Sequence, residues 1–222
     1  MHISPTGPSA TADEELEHQK AAITRLGHEL RGLVEATVRT AASPETLHRV
    51  ADGVRTITGQ LTGRRRARAE IPEVDEFPAG TRIYSPVTGA GSPLAPPVKV
   101  TPTADGLTGE CTLGIAHEGP PGYGHGGMSA MLLDELMGRA CTAAGMPGLT
   151  VSLQMRYHRP VPLETTLLIL ARVTGTDDRK IFVSGSIASR TDPDASLVTA
   201  DGIFVAPDLH RARALFPGLQ RA

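Results

Sequence analysis

The sequence predicts an α+β fold in which an antiparallel sheet wraps one long central helix, with a helical extension ahead of it. Three observations carry that expectation: one apolar helix beginning near Gly126, short alternating segments on both sides of it, and two amphipathic periodicities confined to the first 63 residues. A helix that is apolar nearly all round has to be enclosed. Strands joined by hairpin-length links supply a sheet that curls around it.

Composition bounds the rest. At 222 residues and 40% hydrophobic content the chain suits one generous domain plus an extension. Aromatic residues make up 3% and Trp is absent, so aliphatic side chains must fill the core. A formal net charge of −2 gives no footprint for nucleic acid or a membrane surface, and no segment approaches the ~18 apolar residues of a membrane span. Cys111 and Cys141 are too few for a disulfide framework and lie in apolar segments, which predicts buried free thiols in a reducing compartment. The stretch MHISPTGPSATADEELEHQK has no basic region followed by an apolar run, so no signal peptide is read and a soluble, cytoplasmic protein is expected.

Residues 1–11 are rich in Pro, Ser and Thr and are expected to be disordered. A helical extension over 12–63 follows. Its first helix runs from Asp13 to about Ala41 on Leu16, Ile23, Leu26, Leu30, Leu33, Val34 and Val38, with acids early and Arg39 late. Its second helix starts at an N-cap, Ser43, with Pro44 at the first helical position, and runs through Leu47, Val50, Val54, Ile57 and Leu61. Residues 64–96 form an irregular linker, opened by Arg64-Arg65-Arg66-Ala67-Arg68 and broken by Pro72, Pro78, Pro86, Pro93 and Pro96. The main domain spans 97–207. It holds strands over 98–103 and 107–115, the central helix to about Gly145, and strands over 149–158, 165–175, 180–190 and 196–206. Arg159-Pro160, Asp177-Asp178 and Asp192-Pro193-Asp194 are its predicted turns. Residues 208–222 are a C-terminal tail.

The chemistry concentrates in GPPGYGHGGMSAMLLDELMG, residues 119–138. At 3.6 residues per turn, Asp134 shares a face with Gly127, Ala130, Met131, Met137, Gly138 and Cys141, which places one carboxylate alone on a small and apolar stripe. Its neighbour Glu135 has Arg139 four residues on, an ordinary supporting ion pair. A desolvated, unpartnered Asp134 is a candidate general base or nucleophile. At the helix start, Gly126 and Gly127 leave the first amides open to a ligand, which suits an oxyanion hole or anion site. His125 either donates a hydrogen bond there or sets the loop. Eight residues separate Gly126 from Asp134, ~12 Å along the axis, whereas one reacting atom must lie within about 3 Å of both groups. Two antiparallel copies of the helix meet that condition, so the spacing favours a symmetric homodimer with composite sites, a tetramer being the larger alternative.

The chain resembles the hotdog-fold acyl-CoA thioesterases, and within them the PaaI-like branch that includes the human THEM-type enzymes. The resemblance covers about 97–206 and rests on His125-Gly126-Gly127, Asp134, Thr150, and Tyr157 followed by Arg159-Pro160. It implies thioester hydrolysis of an acyl-CoA. Asp134 would activate water or attack the carbonyl, a Gly126 or Gly127 amide would hold the oxyanion, and Thr150, read as the start of a core strand, would orient the acid or water. Coenzyme A would enter as part of the substrate, with no separate cofactor and no metal. Its phosphates call for cations, and Arg156, Tyr157, His158, Arg159, Arg179 and Lys180 are the candidate contacts. Met128, Met131 and Met137 suit an adaptable apolar channel. A non-catalytic acyl-CoA sensor is the alternative, with the arginine cluster at 64–68 as a DNA-binding arm. No helix-turn-helix precedes that cluster, and no nucleic-acid partner is expected.

Overall fold

The structure, a computed structural model, describes residues 10–68, 70–76 and 80–206. Two helices come first, α1 (Ala10–Arg39) and α2 (Pro44–Gln60). The expected N-terminal disorder therefore fails at Ala10 and Thr11, which are already helical, and its remainder lies outside the described residues, as does the tail over 208–222. Ser43 caps α2 as its chemistry predicts, accepting from the Thr46 N–H ahead of Pro44.

A six-stranded antiparallel sheet follows: β1 (Lys99–Thr103), β2 (Gly106–Thr112), β3 (Leu149–Tyr157), β4 (Thr166–Asp177), β5 (Lys180–Ser189) and β6 (Asp192–Val205). Their spatial order is β1-β2-β4-β5-β6-β3. Between β2 and β3 the chain makes a 3-10 turn, Ile115–His117, and then α3 (Gly126–Ala143). The concave face of the sheet holds α3. Leu132, Leu133, Leu136, Met137, Ala140 and Cys141 of the helix meet Leu167, Ile169, Ile181, Val183, Ile187, Val198 and Phe204 of the strands. Alternation on β2 and β4 turns every second side chain inward, as their sequences predict. The helix lies close to the sheet: a Cβ at Gly202 would sit 2.7 Å from Met137 Cε, and one at Gly109 would sit 2.6 Å from Leu136 Cδ2.

Three expectations change. Residues 80–98 hold neither helix nor strand, as their prolines dictate, but they are no spacer: Ile83, Val87, Ala95 and Val98 are buried, and Val87 and Val98 join the core around α3. The last hairpin turns at Arg190-Thr191, not at 192–194, and Asp192 already pairs with Ser189. Pro193 is tolerated because the register between β5 and β6 shifts around it, a context in which a strand admits proline. Finally, β3 is an edge strand and not a core strand, and its residues Leu149, Val151 and Tyr157 are exposed.

The N-terminal helices differ in how they find partners. α1 lies against residues 83–92, where Arg31 donates to the carbonyls of Ala90 and Ser92 at 2.8 and 2.7 Å and Gly27 lets the backbone approach. α2 buries none of its residues, and its whole apolar stripe is open, with Ile57 and Leu61 55% and 61% exposed. The arginine cluster is partly engaged within the chain: Arg64 reaches Glu70 and Arg66 stacks over the Tyr84 ring.

Candidate active site

The central feature is the start of α3. His125 is its N-cap residue, extended at φ −62°, ψ 136°. Its Nδ1 accepts the Gly127 N–H at 3.0 Å, so the ring sets the loop by accepting and not by donating. The His125 backbone is held in turn by the His117 carbonyl at 2.9 Å. These bonds distinguish the two glycines. The Gly127 amide is committed to His125, whereas the Gly126 amide, the first of the helix, donates to no acceptor among the described residues. Tyr157, at the end of β3, braces the same residue from the other side, its hydroxyl donating to the Gly126 carbonyl at 3.1 Å.

Asp134 lies two turns into the helix. It is half-buried, not desolvated, and it has a partner that its sequence surroundings did not reveal: the Thr150 hydroxyl donates to its Oδ1 at 2.8 Å. That bond fixes the orientation of the carboxylate. Glu135 behaves as expected and goes further. Arg139 Nε meets its Oε1 at 2.9 Å, and the same oxygen accepts from Thr88, tying α3 to the irregular segment on its outer side. Cys111 and Cys141 are buried free thiols, pushed by burial to about 12 and about 11, so neither is a nucleophile near neutral pH.

Thus the structure joins Asp134 to Thr150, His125 to Gly127, and Gly126 to Tyr157. It does not join Asp134 to Gly126, which stay two turns apart on one continuous helix. The proposed cation contacts also divide. Arg156 pairs with Asp201 at 2.7 Å, His158 Nε2 meets Thr199 Oγ1 at 2.9 Å, and Arg159 lies 3.7 Å from Asp192, all near the end of β3 that touches the helix start. Arg179 and Lys180 form the β4–β5 hairpin at the opposite end, where Lys180 and Leu149 both pair with Val205. Of the three methionines, Met137 is core packing and Met128 and Met131 are half-buried against that core.

Two groups near this site escaped the sequence. His117 has a buried Nδ1 without a hydrogen-bond partner among the described residues, directly beside the loop that carries His125. Glu35, from α1, reaches the turn before that loop. The sequence carried no signal for either, since both depend on contacts between distant segments.

A sequence profile of the thioesterase superfamily matches residues 121–195, which holds both ends of the α3 site. A crystal structure of a thioesterase superfamily protein is 37% identical, with a TM-score of 0.74, and the match covers 82% of this chain and 94% of that one. Acyl-coenzyme A thioesterase THEM5 of Homo sapiens is 30% identical over 88 residues, 40% of this chain and 35% of that protein. Acyl-coenzyme A thioesterase THEM4 of Xenopus laevis is 35% identical over 75 residues, 34% of each chain. The chain spans about a third of the length of these two relatives. Among the described residues no helix is long and apolar enough to cross a membrane.

Proposed function

The chain belongs to the thioesterase superfamily, and from that premise we propose that it hydrolyses acyl-CoA thioesters to a free acid and CoA. The observation that carries the reading is the pairing of an oriented carboxylate, Asp134 with Thr150, with a helix-start amide, that of Gly126, left open to a ligand. The attacking water gives its proton to Asp134 as its oxygen bonds to the thioester carbon. The carbonyl oxygen becomes an oxyanion and receives the Gly126 N–H. Collapse breaks the carbon–sulfur bond, and the thiolate of CoA takes the proton back from Asp134. Direct attack by Asp134 through a mixed anhydride uses the same groups. Gly127 is not the donor in this scheme, because its amide already serves His125.

The two groups act together only across a homodimer, with Asp134 facing Gly126 of the partner subunit. The exposed edge strand β3 lies along α3 and offers unpaired backbone for such an association. Two antiparallel copies would also place the Arg156–Arg159 end of β3 in one subunit near the Arg179–Lys180 end in the other, so the two cation groups would flank one CoA. Free thiols suit a reducing cytoplasmic setting, and acyl-CoA turnover suits fatty acid metabolism.

The test is CoA release from a panel of short-, medium- and long-chain and aryl acyl-CoA, with Asp134→Ala as the control and light scattering on the active sample. Release from at least one substrate, lost in Asp134→Ala, is expected from a dimer. No thiol from any member, with acyl-CoA still bound, would select a non-catalytic sensor. A fully active monomer would defeat the composite site.

A further inference from the structure

We infer that Glu35, on the N-terminal helix, is a positioning residue for the Gly126 amide, acting through a relay that runs from α1 into the loop before α3. The inference rests on the acyl-transfer reading of that amide. Glu35 Oε1 accepts the Ile115 N–H and Oε2 the Ala116 N–H, each at 3.3 Å. These are the opening amides of the 3-10 turn, whose own N-cap residue, Gly114, supplies no side-chain cap. A carboxylate about 80 residues upstream fills that role. Gly114 itself is fitted to it, because a Cβ there would lie 2.7 Å from Glu35 Oε2.

The turn passes the constraint on. His117, its last residue, offers its carbonyl to the His125 N–H at 2.9 Å, and His125 Nδ1 takes the Gly127 N–H at 3.0 Å. The orientation of the first helical residue, Gly126, therefore depends on where the turn sits. α1 fixes the far side of the same loop as well. Arg39 holds Glu35 Oε1 at 2.7 Å and also pairs with Glu164, whose N–H donates to the Leu113 carbonyl at 2.8 Å. Gly124, inside the loop, donates to the Val161 carbonyl on the neighbouring stretch of chain. One helix end thus holds both strands of backbone between which the loop is suspended.

The experiment compares wild type, Glu35→Ala, Glu35→Gln and Gly114→Ala in the full chain. Its readouts are CoA release from hexanoyl-CoA and palmitoyl-CoA, thermal midpoint, and the amide resonances of Gly126 and Gly127. Glu35→Ala and Gly114→Ala are expected to lower kcat about tenfold with KM unchanged, since a displaced donor forfeits part of what a deleted one would. The two glycine resonances should move in both variants, and Glu35→Gln, which keeps one of the two acceptor oxygens, should recover part of kcat. Unmoved resonances with unchanged kcat overturn the relay. A loss of activity that follows the loss of folded protein also overturns it, leaving Glu35 a stability contact. Should wild type release no CoA, the acyl-transfer reading falls, and the resonances alone still decide whether Glu35 reaches the helix start.

Discussion

Replacing Gly126 by proline removes its N–H and puts a ring methylene in its place. Gly126 is the first residue of α3, the position at which a helix accepts proline, and its amide serves no intrahelical bond. The preceding residue, His125, is already extended at ψ 136°, as a residue before proline must be. A Cβ fits there, since one at Gly126 would meet the Tyr157 ring at 3.4 Å, ordinary contact. Folding should therefore change little, while the oxyanion donor disappears. Loss of one such donor costs about 10²–10³ in kcat, or about 2.7–4 kcal/mol of transition-state stabilisation. The assay is steady-state CoA release with a thermal melt on the same sample, and kcat should fall at least that far. A mixing experiment adds the geometry: Gly126→Pro and Asp134→Ala subunits, each inactive alone, should regain about a quarter of wild-type activity after random reassociation into dimers. Wild-type kcat in Gly126→Pro would refute the assignment of this amide, and failure of the mixture to recover would refute the sharing of sites between subunits.

Thr150→Val keeps the shape of the side chain and removes its 2.8 Å bond to Asp134, so kcat should drop about tenfold, near the lower end for a bond to a charged group, with Thr150→Ser restoring it. Gly202→Ala forces a methyl group against Met137 Cε, the flexible end of that side chain, and should cost no more than about 1 kcal/mol in chemical denaturation, a loss that a shorter residue at Met137 would relieve. Cys111 and Cys141 should react with a thiol reagent at pH 8 only after unfolding, since burial holds both thiols at about 12 and about 11. Burial works against the charge of Glu35, but the Arg39 bond and the amides of Ala116 and Ile115 outweigh it and hold the carboxyl below its ordinary 4.5. Its contribution is then complete above that value and fades as pH falls through the lowered one. Wild type and Glu35→Gln should accordingly differ in thermal midpoint at neutral pH and converge in acid, with Arg39 and Glu164 the charged neighbours that modulate the crossing.

What the sequence disclosed follows from range. Periodicity and caps are local, so α3, the Ser43-Pro44 start of α2 and the alternating strands were legible. The Glu135–Arg139 pair was legible too, because Arg139 stands one turn beyond Glu135. The eight-residue gap from Gly126 to Asp134 was readable as a distance. The partner of Asp134 was foreseen only through family resemblance, since Thr150 reaches it from another element. The division of labour between Gly126 and Gly127 was hidden because it turns on one side-chain rotamer of His125. Residues 80–96 differ for another reason: an irregular segment has no period, so nothing in its residue order announces that Val87 enters the core.

That last segment has a practical consequence. The obvious excision, keeping only 97–207 as the minimal catalytic unit, would remove Val87 from the core around α3 and the Thr88 hydroxyl from Glu135 and Arg139. The helix that carries both candidate groups would then present an apolar flank and a half-satisfied ion pair to water. A shortened protein for crystallography or engineering should begin no later than α1, and α2, which buries nothing in the chain, is the part to loop out instead.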